Sequence, residues 1–371
     1  MLKPLTRLAA KLRGSRHSKL LRQALGSAVG LTDQPREAVL KGLVSRQLAP
    51  WHTTELPRGR QQVERLQALN SHSASVFVFE LGGRHVDVWP KPSAAQTAGC
   101  EPAEVRMFSK RVNHYRTLLS EVLRHESSPK HVRLAVDLRD IPADVLDWPV
   151  FGFQKAQAAR NLLLPDVDFF HHGWYLDDRD NLAYTDKAPT ACFVGASSGM
   201  SLSADAVRRH ASQRLALASA FVDDPRVLFR IAGAVQCESD EARQLLMAQP
   251  YFCPPMGWQD QLKHRFLISV DGNGATCSRV VKSLRSHSVL VKFPSDQELY
   301  YFPLLEAGRH YLHAKSPDDV RRILDEEAAS PGCHAGVASA GQRFAAQYLQ
   351  APAVFHYTQL LMRGYAARVP A

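Results

Sequence analysis

The chain has 371 residues, of which 45% are hydrophobic and 22% charged, and its formal net charge at pH 7 is +10. These proportions are typical of a globular protein long enough for two domains, and no apolar run is long enough to cross a bilayer as a helix. The six cysteines include no C-x-x-C pair, so neither a disulfide framework nor a zinc site is indicated and a reducing cytoplasm is favoured.

The excess positive charge lies at the N-terminus. Residues 1–32 contain seven Lys or Arg and no acidic residue, which leaves only +3 for the rest of the chain. A nucleic-acid-binding face is therefore not indicated. Residues 1–30 also carry leucines at roughly helical spacing but lack the continuous apolar core of a signal peptide. They predict either a basic amphipathic helix on an anionic membrane surface or a solvated helix packed on the domain.

The next elements alternate between helical and strand patterns. Residues 34–70 have helical periodicity, and residues 75–89 predict a β-hairpin because two β-favouring runs flank a Gly-Gly turn. A helix is predicted over residues 104–124, and the run at residues 131–136 predicts a buried strand. This order favours an α/β fold.

Polar residues follow the strand at residues 131–136 directly. Asp137, Arg139 and Asp140 lie where α/β proteins form active sites, at the carboxyl end of a strand. A carboxylate there can take the proton of an attacking hydroxyl group. The alternative is a turn aspartate that satisfies its own backbone, which is the commoner case.

Residues 164–175 bring together histidines and aromatic residues. His171 and His172 point to opposite faces if the chain is extended, so structural or acceptor-facing roles are favoured over metal ligation. Trp174 and Tyr175 stack on a sugar ring in one interpretation and pack in the core in the commoner one. Asp166-Val-Asp168 spells a D-x-D pair, but we interpret it as part of this segment rather than as a metal site.

Two glycine loops follow predicted strands. The first, at residues 195–199, follows a strand at residues 191–194. The second is Asp271-Gly-Asn-Gly274, after the strand at residues 266–270, and Thr276 or Ser278 can cap the next helix. Strand, glycine loop and helix start together predict a phosphate site, because free N–H groups and the helix dipole meet the anion there. An ordinary βαβ unit with a tight turn remains the alternative.

Four sequence blocks, in order, resemble glycosyltransferase family 90. The first is Asp-x-Arg-Asp-x-Pro followed by Trp148-Pro-Val-Phe-Gly-Phe-Gln-Lys155, the second is residues 164–175 and the third is residues 191–199. The fourth comprises Asp271-Gly-Asn-Gly274, Arg279, Ser286-His-Ser288-Val-Leu-Val-Lys292, Tyr300-Tyr-Phe-Pro-Leu-Leu305 and His310-Tyr311. The family holds protein O-glucosyltransferases, capsule-associated xylosyltransferases and lipopolysaccharide glycosyltransferases, and the resemblance covers roughly residues 75–330.

The resemblance implies roles for particular residues. Asp140 matches the catalytic aspartate of the family, and Asp137 is the second choice for that role. The implied donor-binding residues are Gly195, Ser197, Ser198, Gly199, Asp271, Gly272, Asn273, Gly274, Thr276, Ser278, Arg279, Lys282 and Glu298. The implied acceptor-binding residues are Asp137, Arg139, His171, His172 and Trp174. Arg279 and Lys282 are expected to supply mobile positive charge.

The third block departs from the family pattern. Val194 stands where the family has arginine, and Ala196 where it has serine, so one expected phosphate or sugar contact is missing. Arg208 or Arg214 on the following helix is a possible substitute, but an ordinary helix-surface position is the commoner one for such arginines.

The resemblance also implies an architecture and a reaction. The fold expected is α/β and GT-B-like, with two Rossmann-like domains facing a cleft. The expected parts are a basic extension at residues 1–60, an acceptor domain at 61–185, a donor domain at 186–350 and a returning helix at 351–371. The reaction expected is an inverting, metal-independent transfer of one sugar, without a cofactor, from a nucleotide sugar, with UDP as the first choice of nucleotide.

The expected partners are a glycan or lipid-linked oligosaccharide and an anionic membrane surface, in lipopolysaccharide or capsule assembly on the cytoplasmic side. The alternative from another class is a non-catalytic carbohydrate- or nucleotide-binding relative of the family.

Overall fold

The computed structural model describes residues 16–26, 34–83, 85–90, 101–125, 131–275 and 277–369. Thr276 therefore lies outside the described residues, and so does most of the basic N-terminal segment. The described part of that segment, residues 16–26, is helical. In the described ranges no helix combines the length and apolarity that a membrane span requires.

Helices and strands alternate through most of the chain. The helices are α1 (16–26), α2 (Gln34–Leu48), α3 (Gly59–His72), α4 (Pro102–Arg124), α5 (Asp168–His171), α6 (Ala204–Arg208), α7 (Gln213–Ala220), α8 (Asp240–Met247), α9 (Trp258–Gln261), α10 (Cys277–Arg285), α11 (Pro317–Ala329), α12 (Ala335–Tyr348) and α13 (Ala351–Arg368). The strands are β1 (Val76–Gly82), β2 (His85–Val88), β3 (Val132–Asp137), β4 (Val150–Gly152), β5 (Lys155–Ala156), β6 (Leu162–Leu163), β7 (Ala188–Ala196), β8 (Val227–Gly233), β9 (His264–Ser269), β10 (Val289–Lys292), β11 (Gln297–Glu298) and β12 (Leu312–His313).

The chain divides into two compact units. The first comprises Met1–Leu176, Glu298–Pro303 and Gln350–Ala371, and the second Asp177–Gln297 and Leu304–Leu349. The sequence pattern placed the divisions at 185/186 and 350/351 and did not indicate that residues 298–303 belong with the first unit. Within that unit Tyr300 stacks on Tyr357 of α13 with ring centroids 4.3 Å apart, which ties this short segment to the C-terminal helix.

The first unit is built on a mixed sheet of order β2-β1-β3-β4-β6. Strand β1 is antiparallel to both β2 and β3, whereas β3, β4 and β6 are parallel. Helices α3 and α4 pack on β1, and α13 packs on α2 and α4. The amphipathic helix α4 begins with a capping box at Glu101 and buries Tyr115, Leu118 and Val122. Asp140 follows the carboxyl end of β3.

The second unit contains a parallel sheet of order β12-β10-β9-β7-β8. Its strands are almost continuously apolar because both faces are covered, and Phe193, Phe229, Ile268 and Val291 are fully buried. Since all five strands run in one direction, their carboxyl ends meet at one edge of the sheet. The α/β class predicted from the sequence is confirmed.

Candidate active site

Two glycine loops meet at the carboxyl edge of the parallel sheet. The first loop, residues 195–199, begins in the last two residues of β7 and continues beyond it. The second loop, residues 271–274, follows the neighbouring strand β9. A Cβ atom at Gly199, where φ is +132°, would lie 3.4 Å from the carbonyl oxygen of Gly272. A Cβ atom at Gly272 would lie 2.6 Å from the Ser198 hydroxyl oxygen. Glycine is therefore favoured at 199 by its positive φ, whereas at 272 a side chain would collide with Ser198 of the other loop.

Arg214 of α7 connects these loops, and it is not a surface arginine as the sequence suggested. Its guanidinium group donates to the carbonyl oxygen of Ala196 at 2.8 Å and to the Ser198 hydroxyl at 2.9 Å. It also donates to the carbonyl oxygens of Val270 at 3.0 Å and of Asp271 at 2.9 Å. The residue is only 6% exposed. Burial, followed by the neighbouring Arg279, lowers its pKa to about 10.

Arg279 of α10 is held in place, so the expectation that it is mobile is wrong. It donates to the carbonyl oxygen of Val194 at 2.7 Å and to the Gln261 side chain at 3.0 Å. Its guanidinium carbon lies 4.5 Å from the centroid of the Phe193 ring, which also faces Arg214 at 5.3 Å. Burial lowers the pKa of Arg279 to about 10. The Phe193 ring of β7 therefore lies between the guanidinium groups of Arg214 and Arg279 and contacts both.

The carboxylate at the end of β9 supports the second loop. Asp271 accepts a bond from the Ser295 hydroxyl at 2.5 Å, and burial raises its pKa. Lys292 is buried beside it, and burial lowers its pKa while Asp271 opposes that shift. The buried cations Arg214 and Lys292 and the partly buried Arg279 therefore outnumber the partly buried carboxylate of Asp271 around the loops. An anion at this edge of the sheet would be stabilised by that excess.

Other predicted donor-binding residues of the first loop have internal partners. The Ser197 hydroxyl is fully buried and both donates to the carbonyl oxygen and accepts from the N–H of Val235, at 2.9 and 3.0 Å. The Gly199 N–H donates to the Gln236 side chain at 3.0 Å. At Gly195 a Cβ atom would lie 2.9 Å from the Phe193 ring, so a side chain there would disturb the packing of β7. These residues shape the loop.

The second loop and helix α10 present the remaining predicted residues. The N–H of Gly272 donates to the carbonyl oxygen of Gly274 at 3.1 Å, and Asn273 is exposed. Ser278 lies in the first turn of α10 and is partly buried. The Lys282 ammonium group lies 3.6 Å from the Asp178 carboxylate and 5.5 Å from the centroid of the Trp258 ring.

Glu298 belongs to the first unit rather than to the one that holds the glycine loops. There its carboxylate lies 3.5 Å from the Arg46 guanidinium. It also faces Lys155, whose pKa is lowered by burial, an effect that Glu298 opposes. A donor-binding role for Glu298 stays a prediction, and it would have to act from the first unit, where the carboxylate is paired with Arg46.

Asp140 is oriented by an arginine that the sequence did not single out. The carboxylate is 34% exposed and accepts a bond from Arg111 of α4 at 2.7 Å. Arg111 also donates to the carbonyl oxygen of Leu138 at 2.6 Å and lies over the Phe153 ring at 5.0 Å. The Gln154 side chain donates to the backbone carbonyl of Asp140. The predicted base is thus partly open to solvent and fixed from one side.

Asp137 is bound within its own turn. It is fully buried and accepts bonds from the Arg139 guanidinium at 2.7 Å, from the Arg139 N–H at 3.1 Å and from the Ala143 N–H at 3.0 Å. Burial opposes ionisation, but these bonds and one from Ser75 bring its pKa below the usual range. The geometry is that of the turn aspartate considered above. Acceptor-binding roles for Asp137 and Arg139 stay predictions that this pairing does not support.

The predicted acceptor residues near α5 differ in exposure. His171 and His172 are exposed, and His171 lies 3.1 Å from the Asp168 carboxylate. Trp174 is only 3% exposed and packs between Phe169 and Phe170, so its ring is in the core, the commoner of the two interpretations. Its predicted role in acceptor binding stays a prediction that its burial does not support.

Among the residues that the structure describes, two groups have the composition of metal ligands, and one of them contains Asp166 and Asp168. Asp166 is fully buried, and burial, then Asp168, raises its pKa. Glu327, Cys333 and His334 bring ligand-type atoms within 4.8 Å of one another. However, Glu327 already accepts a bond from the Arg265 guanidinium at 2.7 Å, and burial followed by Glu327 raises the pKa of the Cys333 thiol. The second group therefore fits an internal ion pair better than a cation.

A parallel sheet with touching glycine loops at its carboxyl edge, backed by buried cations, is typical of α/β proteins that bind phosphorylated ligands. The family model described as Glycosyl transferase family 90 matches residues 131–370, well over half of the chain. The chain belongs to this family, and membership indicates a glycosyl transfer activity. The matched range contains Asp140 and both glycine loops. No curated protein matches the chain.

Proposed function

We propose that the protein is an inverting glycosyltransferase that moves one sugar from a nucleotide sugar, UDP-linked in the first instance, to a hydroxyl group of a glycan. The observation that carries this proposal is the pair of touching glycine loops with an excess of buried positive charge. A diphosphate carries the complementary negative charge, and glycine loops at the carboxyl ends of strands are typical sites for such an anion.

Asp140 is proposed as the catalytic base. A sugar hydroxyl is a weak nucleophile, so a carboxylate must take its proton as the oxygen attacks the anomeric carbon. The bond from Arg111 fixes one carboxylate oxygen of Asp140 and leaves the partly exposed carboxylate to face the acceptor. The attack comes from the side opposite the diphosphate, and the product therefore has the inverted configuration.

Charge stabilisation on the leaving group is proposed for the glycine loops. Negative charge grows on the diphosphate as the glycosidic bond breaks. The amides of residues 273 and 274 and the cation Lys282 are proposed to meet that charge directly, and Arg279 acts through its fixed field beneath the loops. Because these groups supply positive charge, we propose that the reaction requires neither a metal ion nor a cofactor.

The acceptor and the location are proposed from the sequence. The resemblance favours a GT-B arrangement of the two units and a lipid-linked glycan as acceptor, in lipopolysaccharide or capsule assembly. The basic residues 1–30 favour a location at the inner face of the cytoplasmic membrane. Deletion of residues 1–25 is expected to release the protein from anionic vesicles but to leave its behaviour with neutral vesicles unchanged. Equal binding of the shortened and full-length chains to anionic vesicles would reject the membrane part of the proposal.

A ligand screen tests the donor class. Thermal unfolding is measured with UDP, GDP and CMP and with their sugar conjugates, each with magnesium and with EDTA. We expect one nucleotide diphosphate to raise the melting temperature in both conditions, because a ligand that binds only the folded state stabilises it. No shift with any nucleotide would contradict the proposed site, and a shift that EDTA abolishes would contradict metal independence.

The second candidate function is a non-catalytic carbohydrate- or nucleotide-binding protein of the same family. The observation that favours it is the buried Val194 at the position of the family's arginine, together with Ala196 in place of serine. Release of UDP from a panel of UDP-sugars in the absence of acceptor discriminates between the two, because an active transferase loses some donor to water. Binding without any such release would favour the second candidate.

A further inference from the structure

We infer that Arg214 is a positioning residue that holds both glycine loops in the shape that receives the diphosphate. The inference rests on the proposed function. From the sequence, Arg214 is only one of two possible substitutes for the missing arginine, and a surface position is favoured for it. The guanidinium group of Arg214 is bonded to residues 196, 198, 270 and 271, so we infer that it acts through the backbone that it holds.

The shape of the side chain explains why an arginine is needed. Three nitrogens of one planar group reach two acceptors on the β7 side, Ala196 and Ser198, and two on the β9 side, Val270 and Asp271. Three of the four acceptors are backbone carbonyl oxygens. A lysine ammonium group is a point donor and cannot span both strands in this way. The distance between the loops is therefore set by the width of the guanidinium group.

Among the described residues, no carboxylate is hydrogen-bonded to Arg214 to balance its charge. All four of its acceptors are neutral groups, and the Asp271 carboxylate is itself bound by Ser295. A buried, incompletely balanced cation beneath two loops stabilises an anion above them. Arg214 thus contributes both geometry and field to the same edge of the sheet.

The location of Arg214 explains how the chain compensates for its departure from the family pattern at positions 194 and 196. Val194 and Ala196 remove two polar side chains from β7, yet the carbonyl oxygen of Ala196 is bound by Arg214 and that of Val194 by Arg279. The cation that the loop lacks at position 194 is supplied by a residue of helix α7. The loop can therefore keep a diphosphate-binding shape without the arginine of the motif.

Calorimetric titration with UDP and UMP tests the inference. The variants are Arg214→Met, Arg214→Lys and, as a control, Arg209→Met, in which an exposed arginine paired with Asp205 is replaced. We expect Arg214→Met to weaken UDP binding by about tenfold to a hundredfold, the usual effect of losing hydrogen bonds to a charged group. UMP binding should weaken less, so the preference for the diphosphate falls. Arg214→Lys should recover only part of the preference for UDP over UMP, and Arg209→Met should bind both nucleotides as wild type does.

Gly272→Ala provides a second route to the same result. Its Cβ atom would lie 2.7 Å from a terminal nitrogen of Arg214, so the contact between arginine and loop must open while the guanidinium charge is retained. We expect this variant to lose diphosphate preference as Arg214→Met does, and it replaces Arg214→Met if that protein does not fold by circular dichroism. Unchanged UDP and UMP affinities in a folded variant, beside a wild type that binds UDP, would overturn the role of Arg214 alone. A wild type that binds no nucleotide would overturn the proposed function instead.

Discussion

Replacement of Arg111 by methionine tests how the predicted base is positioned. Methionine keeps most of the buried stem that lies over Phe153, so the change mainly removes two hydrogen bonds, to Asp140 and to the carbonyl oxygen of Leu138. A bond to a charged group contributes about 1.5–3 kcal/mol. Because the Asp140 carboxylate is one-third exposed, water replaces part of that bond, and we expect a stability loss of about 1–2 kcal/mol.

The catalytic effect of Arg111→Met should exceed its effect on stability. A base displaced by about 1 Å lowers the rate by up to roughly a hundredfold. We therefore expect kcat for transfer to fall by about tenfold to a hundredfold while UDP affinity, measured by calorimetry, stays at the wild-type value. Arg106→Met, an exposed change on the same helix, is the control. If Arg111→Met turns over at the wild-type rate while Asp140→Asn does not, the positioning argument is wrong.

Three further changes probe the base and the two units. Asp140→Asn should keep the fold and UDP binding but lower transfer by roughly 10²–10⁴, and near-normal turnover would remove Asp140 from the mechanism. Burial lowers the pKa of His114 to about 3 from 6.5, so between these pH values the unfolded chain binds more protons than the folded one. When the pH falls from 7 to 5, the free energy of unfolding of wild type should therefore drop by about 2 kcal/mol more than that of His114→Phe, as measured by urea titration. Equal drops in the two proteins would contradict this. Glu327→Gln leaves Arg265 without its buried carboxylate and should cost about 3 kcal/mol in the free energy of unfolding at pH 7, and a loss under 1 kcal/mol would show that the pair is not needed.

Local features were predictable from the sequence. The strands before both glycine loops, the helix predicted over residues 104–124 and the hairpin at residues 75–89 follow from residue type and period, because each depends on neighbours close in the chain. The turn after β3 was also predictable, and so was the alternative that Asp137 serves its own backbone. Both glycine loops were predicted from the sequence as parts of a phosphate site, but the sequence did not show that Gly199 and Gly272 approach each other.

Long-range partners were not predictable in the same way. Arg214 lies on a helix whose pattern fits a surface position, and only its bonds to residues 196, 198, 270 and 271 show that its end is buried. Arg111 lies 29 residues before Asp140, and its role depends on how α4 crosses the sheet. The return of residues 298–303 to the first unit depends on the stacking of Tyr300 and Tyr357, which no local pattern encodes.

The most direct test of the central claim is the configuration of the sugar that the purified protein releases from a nucleotide donor. The protein is incubated with α-linked UDP-sugars in water, and the first product is observed by proton NMR before the anomers equilibrate. Displacement by water from the side opposite the diphosphate predicts that the β anomer and UDP appear first, with EDTA present. Initial release of the α anomer, or donors that stay intact across the whole panel, would contradict the account.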